Sequence, residues 1–260
     1  MYGYCPLASG SKGNCIYFGS KKAKILIDAG ISGAATRRKL LEIGVSLEEI
    51  QAIVISHDHS DHILGLKTLA FRYGIPVFAN AETAKGIYAA LGCCPQFKIF
   101  TTGESFTFED IEIHPFSVQH DTVDPVAFTL KTGGLKIGIC TDLGFPSTLV
   151  RSHLRGCDYL LVESNHEPSM VHASSRPPVY KQRVLGRSGH LSNEACASLL
   201  KEVMGENLMH IHLAHLSQEC NSEITALETV KKMVGEHIEV TIAPQNQIGK
   251  PIHFLQAQYT

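Results

Sequence analysis

The feature that most constrains this chain is the segment Ser56-His57-Asp58-His59-Ser60-Asp61-His62, set directly behind the apolar run Ala52-Ile-Val-Ile-Ser56. A short apolar run of this kind reads as a buried strand, so the motif begins at a strand's end. On extended backbone, residues two apart point to the same side, whereas on a helix they would diverge by about 200°. His57 and His59 therefore converge on one ion. Asp61 and His62, where the chain turns into the next helix, face a second. Neutral imidazole and carboxylate are ligands that zinc, manganese and iron accept. The competing reading is a solvated loop crowded with polar side chains. Three histidines and two aspartates between positions 57 and 62, immediately after a buried strand, weigh against it.

With 260 residues, 44% of them hydrophobic and 18% charged, the chain has the make-up of an ordinary globular protein, and a single domain over 1–260 is expected. No apolar run is long enough to cross a bilayer, and the first residues carry neither the basic region nor the apolar stretch of a signal peptide, so the expectation is a cytoplasmic protein without membrane association. The eight cysteines include no Cys-x-x-Cys pair. Cys15, Cys140 and Cys196 stand in apolar segments and are expected to be reduced packing residues.

Strand-like and helix-like runs alternate along the chain. Strands are expected at 15–18, 23–28, 52–56, 158–163, 208–213 and 237–243, and β runs at 106–118 and 126–140, the second turning at Gly133-Gly134. Helices are expected at 62–73, 82–91, 193–204 and 222–234, with a capping box from Ser46 to Glu49 and with Ser192 or Asn193 capping the third helix. Residues 164–190 read as a polar, proline-bearing, basic connection. Strands clustered in each half with helices interspersed predict an α/β (α+β) fold, a four-layer αββα sandwich of two face-to-face sheets with helices outside.

His-x-His-x-Asp-His resembles the signature of the metallo-β-lactamase superfamily, and the resemblance extends over nearly the whole chain. It implies a ligand set of His57, His59, Asp61, His62, His120, Asp142 and His215, in which Asp142 bridges two metals. It also implies that Asp28, in Leu-Ile-Asp-Ala-Gly, orients a metal-bound histidine from behind. Leu7-Ala-Ser-Gly-Ser-Lys-Gly-Asn-Cys15, Glu163-Ser-Asn-His166 and Gly189-His-Leu-Ser-Asn193 are similar to the YycJ/WalJ-like subfamily, whose members are regarded as DNA exonucleases. The expectation carried over is a 5′-to-3′ exonuclease acting on double-stranded DNA, with two divalent ions (zinc or manganese, or iron), a hydroxide between them, and no obligatory protein partner. The alternatives are a hydrolase of a small cyclic phosphodiester, a lactone or a thioester such as hydroxyacylglutathione, and a non-catalytic metal-bound binding protein.

The same metal frame serves lactams, thioesters and phosphodiesters, so fold alone does not choose the substrate. Within the superfamily, lactamases place a thiol where Asp142 stands, and glyoxalase II relatives carry a helical domain where only a short tail follows His215. Between Asp142 and His215 this chain has no room for a β-CASP insert. On the positive side, Arg176, Lys181, Arg183 and Arg187 precede Gly189-His190, and cations of this kind neutralise phosphates. A merely solvated basic face is an equal reading of that run. The turn Gly10–Asn14 offers backbone amides with Ser11 and Asn14, and Asn165 is taken as a further phosphate contact; the turn can also be a plain hairpin. His190 with Glu163 behind it resembles the phosphate-contacting pair of the superfamily's phosphodiesterases. That likeness implies that His190 protonates the leaving oxygen while Asp61 holds the nucleophile's proton. His210 and His212 are expected to be structural or to stand behind the ligands.

Overall fold

A computed structural model describes residues 1–254; the last six positions of the expected 1–260 domain, 255–260, lie outside the described residues. Strands β1 (Gly3–Ala8), β2 (Cys15–Gly19) and β3 (Lys24–Ile27) pair antiparallel, and β4 (Ala52–Val54), β5 (Val77–Ala79) and β6 (Phe97–Ile99) continue the sheet in parallel. The second sheet starts with antiparallel β7 (Phe106–Phe108), β8 (Ile111–Ser117), β9 (Val126–Thr132) and β10 (Leu135–Cys140). Parallel β11 (Tyr159–Glu163), β12 (His210–Ala214) and β13 (Glu239–Ile242) complete it, and β14 (Ile252–His253) returns to pair with β1. Among the described residues each sheet thus has seven strands, one drawn almost wholly from the first half of the chain and one from the second.

Helices α1 (Gly33–Glu42), α2 (Ser60–Ile63), α3 (Leu66–Leu69) and α4 (Ala81–Leu91) accompany the first sheet. Helices α5 (Thr148–Leu154), α6 (Pro168–Ala173), α7 (Pro178–Leu185), α8 (Asn193–Val203) and α9 (Glu223–Val234) follow in the second half. The layering is visible in the alternation of single strands. On β2, Cys15 and Tyr17 join Leu40, Leu69 and Ile87 beneath the helices, while Ile16 and Phe18 face Phe128, Leu130 and Ile137 across the gap between sheets. On the far side, Leu199, Leu200 and Val203 of α8 with Val230 and Val234 of α9 cover β11 and β12. A sheet buried on both faces needs apolar residues at both parities, so its strands read as continuous apolar runs. The result is the four-layer αββα sandwich.

Gly133 and Gly134 have φ of 57° and 83°, the paired positive values that a two-residue primed turn requires. The Ser46 N–H donates to Glu49 Oε2 at 2.8 Å, and Ser192 Oγ accepts from the Ala195 N–H at 3.2 Å at the start of α8. Two expectations need correction. The helix expected at 62–73 is two single turns, α2 and α3, because the Gly65 N–H donates to the Ala29 carbonyl at 2.7 Å and draws the chain onto the end of β3. The connection expected over 164–190 contains α6 and α7; Pro168 and Pro178 open them at the first helical position, where a missing N–H costs nothing. Cys15, Cys140 and Cys196 are unpaired and fully buried, as packing residues are. Among the described residues no helix is long and apolar enough to cross a membrane.

Candidate metal centre

Strand ends build the site. Asp28 follows β3, Asp142 follows β10 and His215 follows β12, and all three adopt left-handed backbone, with φ of 60°, 57° and 55°. Such conformations cost of order 1–3 kcal/mol each for a residue other than glycine, and they persist where surrounding contacts fix them. His215 shows those contacts: its N–H donates to Ser9 Oγ at 2.8 Å, and its carbonyl accepts from Asn165 Nδ2 at 2.7 Å.

Four histidines are held at Nδ1. His62 Nδ1 lies 2.8 Å from Asp28 Oδ2, His215 Nδ1 lies 3.0 Å from Glu163 Oε1, and His120 Nδ1 lies 3.1 Å from the Gly189 carbonyl. The Ser56 hydroxyl, 3.0 Å from Asp28, donates there and accepts from His57 Nδ1 at 2.9 Å. A proton fixed on Nδ1 leaves Nε2 as the lone-pair atom. His59 is the exception, with its Nδ1 3.3 Å from His120 Nε2. Donor atoms of His57, His59 and His120 lie within 4.8 Å of one another, and so do those of Asp61, His62 and His215. Asp142 stands between the two groups, with Oδ2 3.2 Å from His62 Nε2, and Oδ1 3.5 Å from His215 Nε2 and 3.8 Å from His120 Nε2.

Two of these atoms, His57 Nε2 and His215 Nε2, are buried with no hydrogen-bond partner among the described residues, and Asp142 Oδ2 has only the 3.2 Å approach of His62 Nε2. A buried polar atom left unpaired is costly, and here the orphans converge on one volume. The charges agree. Burial alone would lower the His62 pKa, but Asp28 and Asp142 reverse this and raise it well above the usual value. Burial likewise opposes charge on His215, yet Asp142 leads the groups that push it up to about 10. Asp142, which burial would raise, is held well below the carboxylate range chiefly by His215 and His62. Without a metal, protonated imidazoles fill the place of cations among buried carboxylates. The donor set therefore fits divalent metal binding.

Glu163, fully buried, ties the parts together. Its Oε1 accepts from His190 Nδ1 at 2.7 Å as well as from His215, and its Oε2 accepts the Leu143 and Leu191 N–H groups at 2.9 and 3.3 Å. Burial would raise this carboxyl; His190 foremost brings it down to about 2. Beside the centre lies a cleft of about 190 Å³, whose lining includes Ser11, Asp61, Asn165, Arg183 and His190.

The remaining phosphate contacts expected from sequence lie elsewhere. Asn14 is buried, with Nδ2 3.1 Å from the Gly10 carbonyl, 3.2 Å from Asp61 Oδ2 and 3.0 Å from His62 Nε2; it braces the second donor group. Three further amides of its turn are spent as well. Gly10 N–H donates to Asn14 Oδ1, Lys12 N–H to Gln245 Oε1 and Gly13 N–H to the Gly10 carbonyl, at 2.8, 2.8 and 2.9 Å. Lys181 Nζ donates to the His172 carbonyl at 2.6 Å, and the Arg187 guanidinium lies 3.9 Å above the Phe145 ring. Arg176 pairs with Glu219, and Arg183, the cation that reaches the cleft, pairs with Asp121. His210 and His212 are structural and stand apart from the centre: His210 Nε2 meets Thr241 Oγ1 at 3.0 Å, and His212 meets Tyr4 Oη at 3.0 Å and the Lys250 carbonyl at 3.1 Å. Sequence reasoning missed Ser56, which relays His57 to Asp28, and Asp121, whose position beside His120 was the available signal.

The family described as the Beta-lactamase superfamily domain matches residues 23–213. The chain is 36% identical over 232 residues to "Exodeoxyribonuclease YycJ" of Bacillus anthracis, covering 88% of each protein. It is 36% identical over 237 residues to "Exodeoxyribonuclease WalJ" of Streptococcus pneumoniae, covering 90% of this chain and 88% of the relative. In three dimensions it resembles the metallo-beta-lactamase fold protein YhfI of Bacillus subtilis, with a TM-score of 0.72 at 18% identity over 94% of this chain and 97% of that one. At that identity the likeness establishes the fold.

Proposed function

The chain belongs to the metallo-β-lactamase superfamily, and from that membership we propose that it is a metal-dependent DNA exonuclease. The observation that carries the reading is the convergence of seven donors from both sheets on one volume lined by orphaned polar atoms. His57, His59 and His120 would hold one divalent ion and Asp61, His62 and His215 another, with Asp142 within reach of both. The ions are zinc or manganese, with iron also accepted by such ligands. When bound, they supply a nucleophilic water at neutral pH and neutralise charge at phosphorus.

The chain's own residues do the rest. Asp28, Glu163 and the Gly189 carbonyl fix the imidazoles so that no reorganisation is needed when substrate binds. Arg183, at the mouth of the cleft, exchanges Asp121 for a backbone phosphate. Ser11 and Asn165 line the path of the strand. Asp61, which lines the cleft with its carboxylate 3.6 Å from His215 Nε2, holds the attacking water's proton. His190 donates a proton to the leaving oxygen, and Glu163 holds the imidazole for that transfer. The substrate is double-stranded DNA degraded 5′ to 3′ in the cytoplasm, without an obligatory protein partner.

Duplex DNA labelled at either the 5′ or the 3′ end, incubated with manganese- and zinc-loaded protein, tests this. Early release of the 5′ label as mononucleotide is expected. Intact DNA alongside rapid hydrolysis of a thioester would assign the centre to small-molecule chemistry.

A further inference from the structure

Next to the metal cleft is a second and larger cavity of about 490 Å³, and we propose that it receives the nucleoside attached to the scissile phosphate. This rests on the phosphodiesterase reading above. Both cavities use Leu216 and Ser217 as lining, and these residues directly follow His215. A group bound in the larger cavity therefore sits beside the metal centre. Its volume is within the roughly 300–1,000 Å³ typical of small-ligand sites.

The lining decides what kind of group fits. Among the described residues it holds no lysine, arginine or histidine, and its one charged residue is Glu223. Glu223 occupies the first turn of α9, where it already complements the helix's N-terminal charge, and Ser222 Oγ caps the Thr225 N–H at 3.0 Å. An anion is disfavoured there, so phosphate stays in the cleft with Arg183. What the cavity offers is paired donors and acceptors from the carboxamides of Gln218, Asn246 and Gln247. Gln245 is spent on the neighbouring turn, where its Nε2 donates to the Gly13 carbonyl at 3.0 Å and its Oε1 accepts from Lys12. That clamp joins the Gln245–Gln247 wall to the turn carrying Ser11, which lines the metal cleft. A neutral, hydrogen-bonding body of nucleoside size joined to a phosphate matches this pair of cavities. Carboxamides reach the polar edges of any base, so the cavity holds a nucleoside without demanding one sequence.

Calorimetric titration of manganese-loaded protein with thymidine 5′-monophosphate, 2-deoxyribose 5-phosphate and inorganic phosphate reads this directly. The nucleotide should bind at least about ten-fold tighter than deoxyribose phosphate, as two net hydrogen bonds imply. The double variant Asn246→Ala/Gln247→Ala should shrink that advantage to about two-fold. It should leave deoxyribose phosphate binding and bis(p-nitrophenyl) phosphate turnover unchanged. Gln218→Trp, which narrows the cavity with a bulky ring and removes one carboxamide, should have the same effect. Equal binding of nucleotide and deoxyribose phosphate by the unaltered protein would overturn the assignment. So would a variant that keeps the nucleotide advantage, or one that loses deoxyribose phosphate as well. If the unaltered protein prefers the nucleotide yet degrades no DNA, the exonuclease reading falls and the nucleoside site stands.

Discussion

His190 lines the cleft, and Glu163 Oε1 accepts from its Nδ1 at 2.7 Å, which leaves Nε2 as the ring atom for the substrate. His190→Ala should lower kcat on DNA by about 10²–10⁴ with little change in binding, since the lost group acts mainly in the transition state. With a p-nitrophenolate leaving group, which needs no protonation, most of the activity should return. Equal loss on both substrates, or loss of a metal equivalent, would take His190 out of the acid role. Arg183 allows a second test at this scale. Arg183→Ala should weaken DNA binding at every sequence and reduce the slope of log K against log salt by about 1, whereas Arg187→Ala, removing a cation stacked on Phe145, should leave that slope unchanged. Matching slopes for the two variants would show that proximity to the cleft does not select the phosphate contact. These residues also show what a sequence discloses. The histidines at 57 and 59 were legible because a spacing of two on the extended segment behind β4 turns both side chains to one side, and their donor atoms do meet. Asn14 and Arg187 were not, because nothing local says whether an amide meets a phosphate or a neighbouring carbonyl, or whether a guanidinium meets DNA or a ring.

Between residue and molecule, the segment carrying the motif is pinned from two sides. Asp58, lying between two of the histidines, accepts from Thr122 two residues after His120, and its carboxylate rests on α4 at Gly86. A Cβ at Gly86 would sit 1.9 Å from Asp58 Oδ2. Propensity says that Gly86→Ala should stabilise α4 by about 1 kcal/mol; the collision says that Asp58, and with it His57 and His59, must move. The contact should win. Gly86→Ala is expected to lower bound metal below that of the unaltered protein, measured by elemental analysis after dialysis. Undiminished metal with a raised Tm would mean that α4 yields instead. Elements of this kind were the least legible part of the fold. Each of β5 and β6 is three residues long, and β6 is partly exposed, so neither carries enough alternation to stand out. The break between α2 and α3 is set by a hydrogen bond to Ala29, a tertiary partner that helical periodicity over 62–73 does not reveal. Helices α8 and α9 were legible because each presents a continuous apolar stripe and a serine cap.

At the scale of the molecule, the centre joins the sheets. His57, His59, Asp61 and His62 follow the C-terminal end of β4 in the first sheet, and His120, Asp142 and His215 come from the second, so a metal bound between them ties the two halves of the sandwich. Metal at a hundred times its Kd stabilises a fold by about 2.7 kcal/mol, which in a domain of this size corresponds to several degrees of Tm. The increment should depend on pH with a sign that the site fixes. In the metal-free protein His215 is raised from 6.5 to about 10, with Asp142 the leading cause against the opposing effect of burial. Its contribution is fully present below pH 6.5 and is lost as pH rises toward 10. Glu163, lowered from 4.5 to about 2, acts in the other direction: its contribution is present above pH 4.5 and is lost as pH falls toward 2. Metal competes with the proton on His215, so binding becomes easier over the same interval in which the metal-free fold weakens. Thermal unfolding of chelated protein should therefore show Tm declining from pH 6.5 to 10, while the Tm gained on adding manganese grows across that window. A metal increment that stays flat over that window, or a chelated protein whose Tm rises there, would show that His215 carries no proton in the empty centre and that Asp142 is paired by another group.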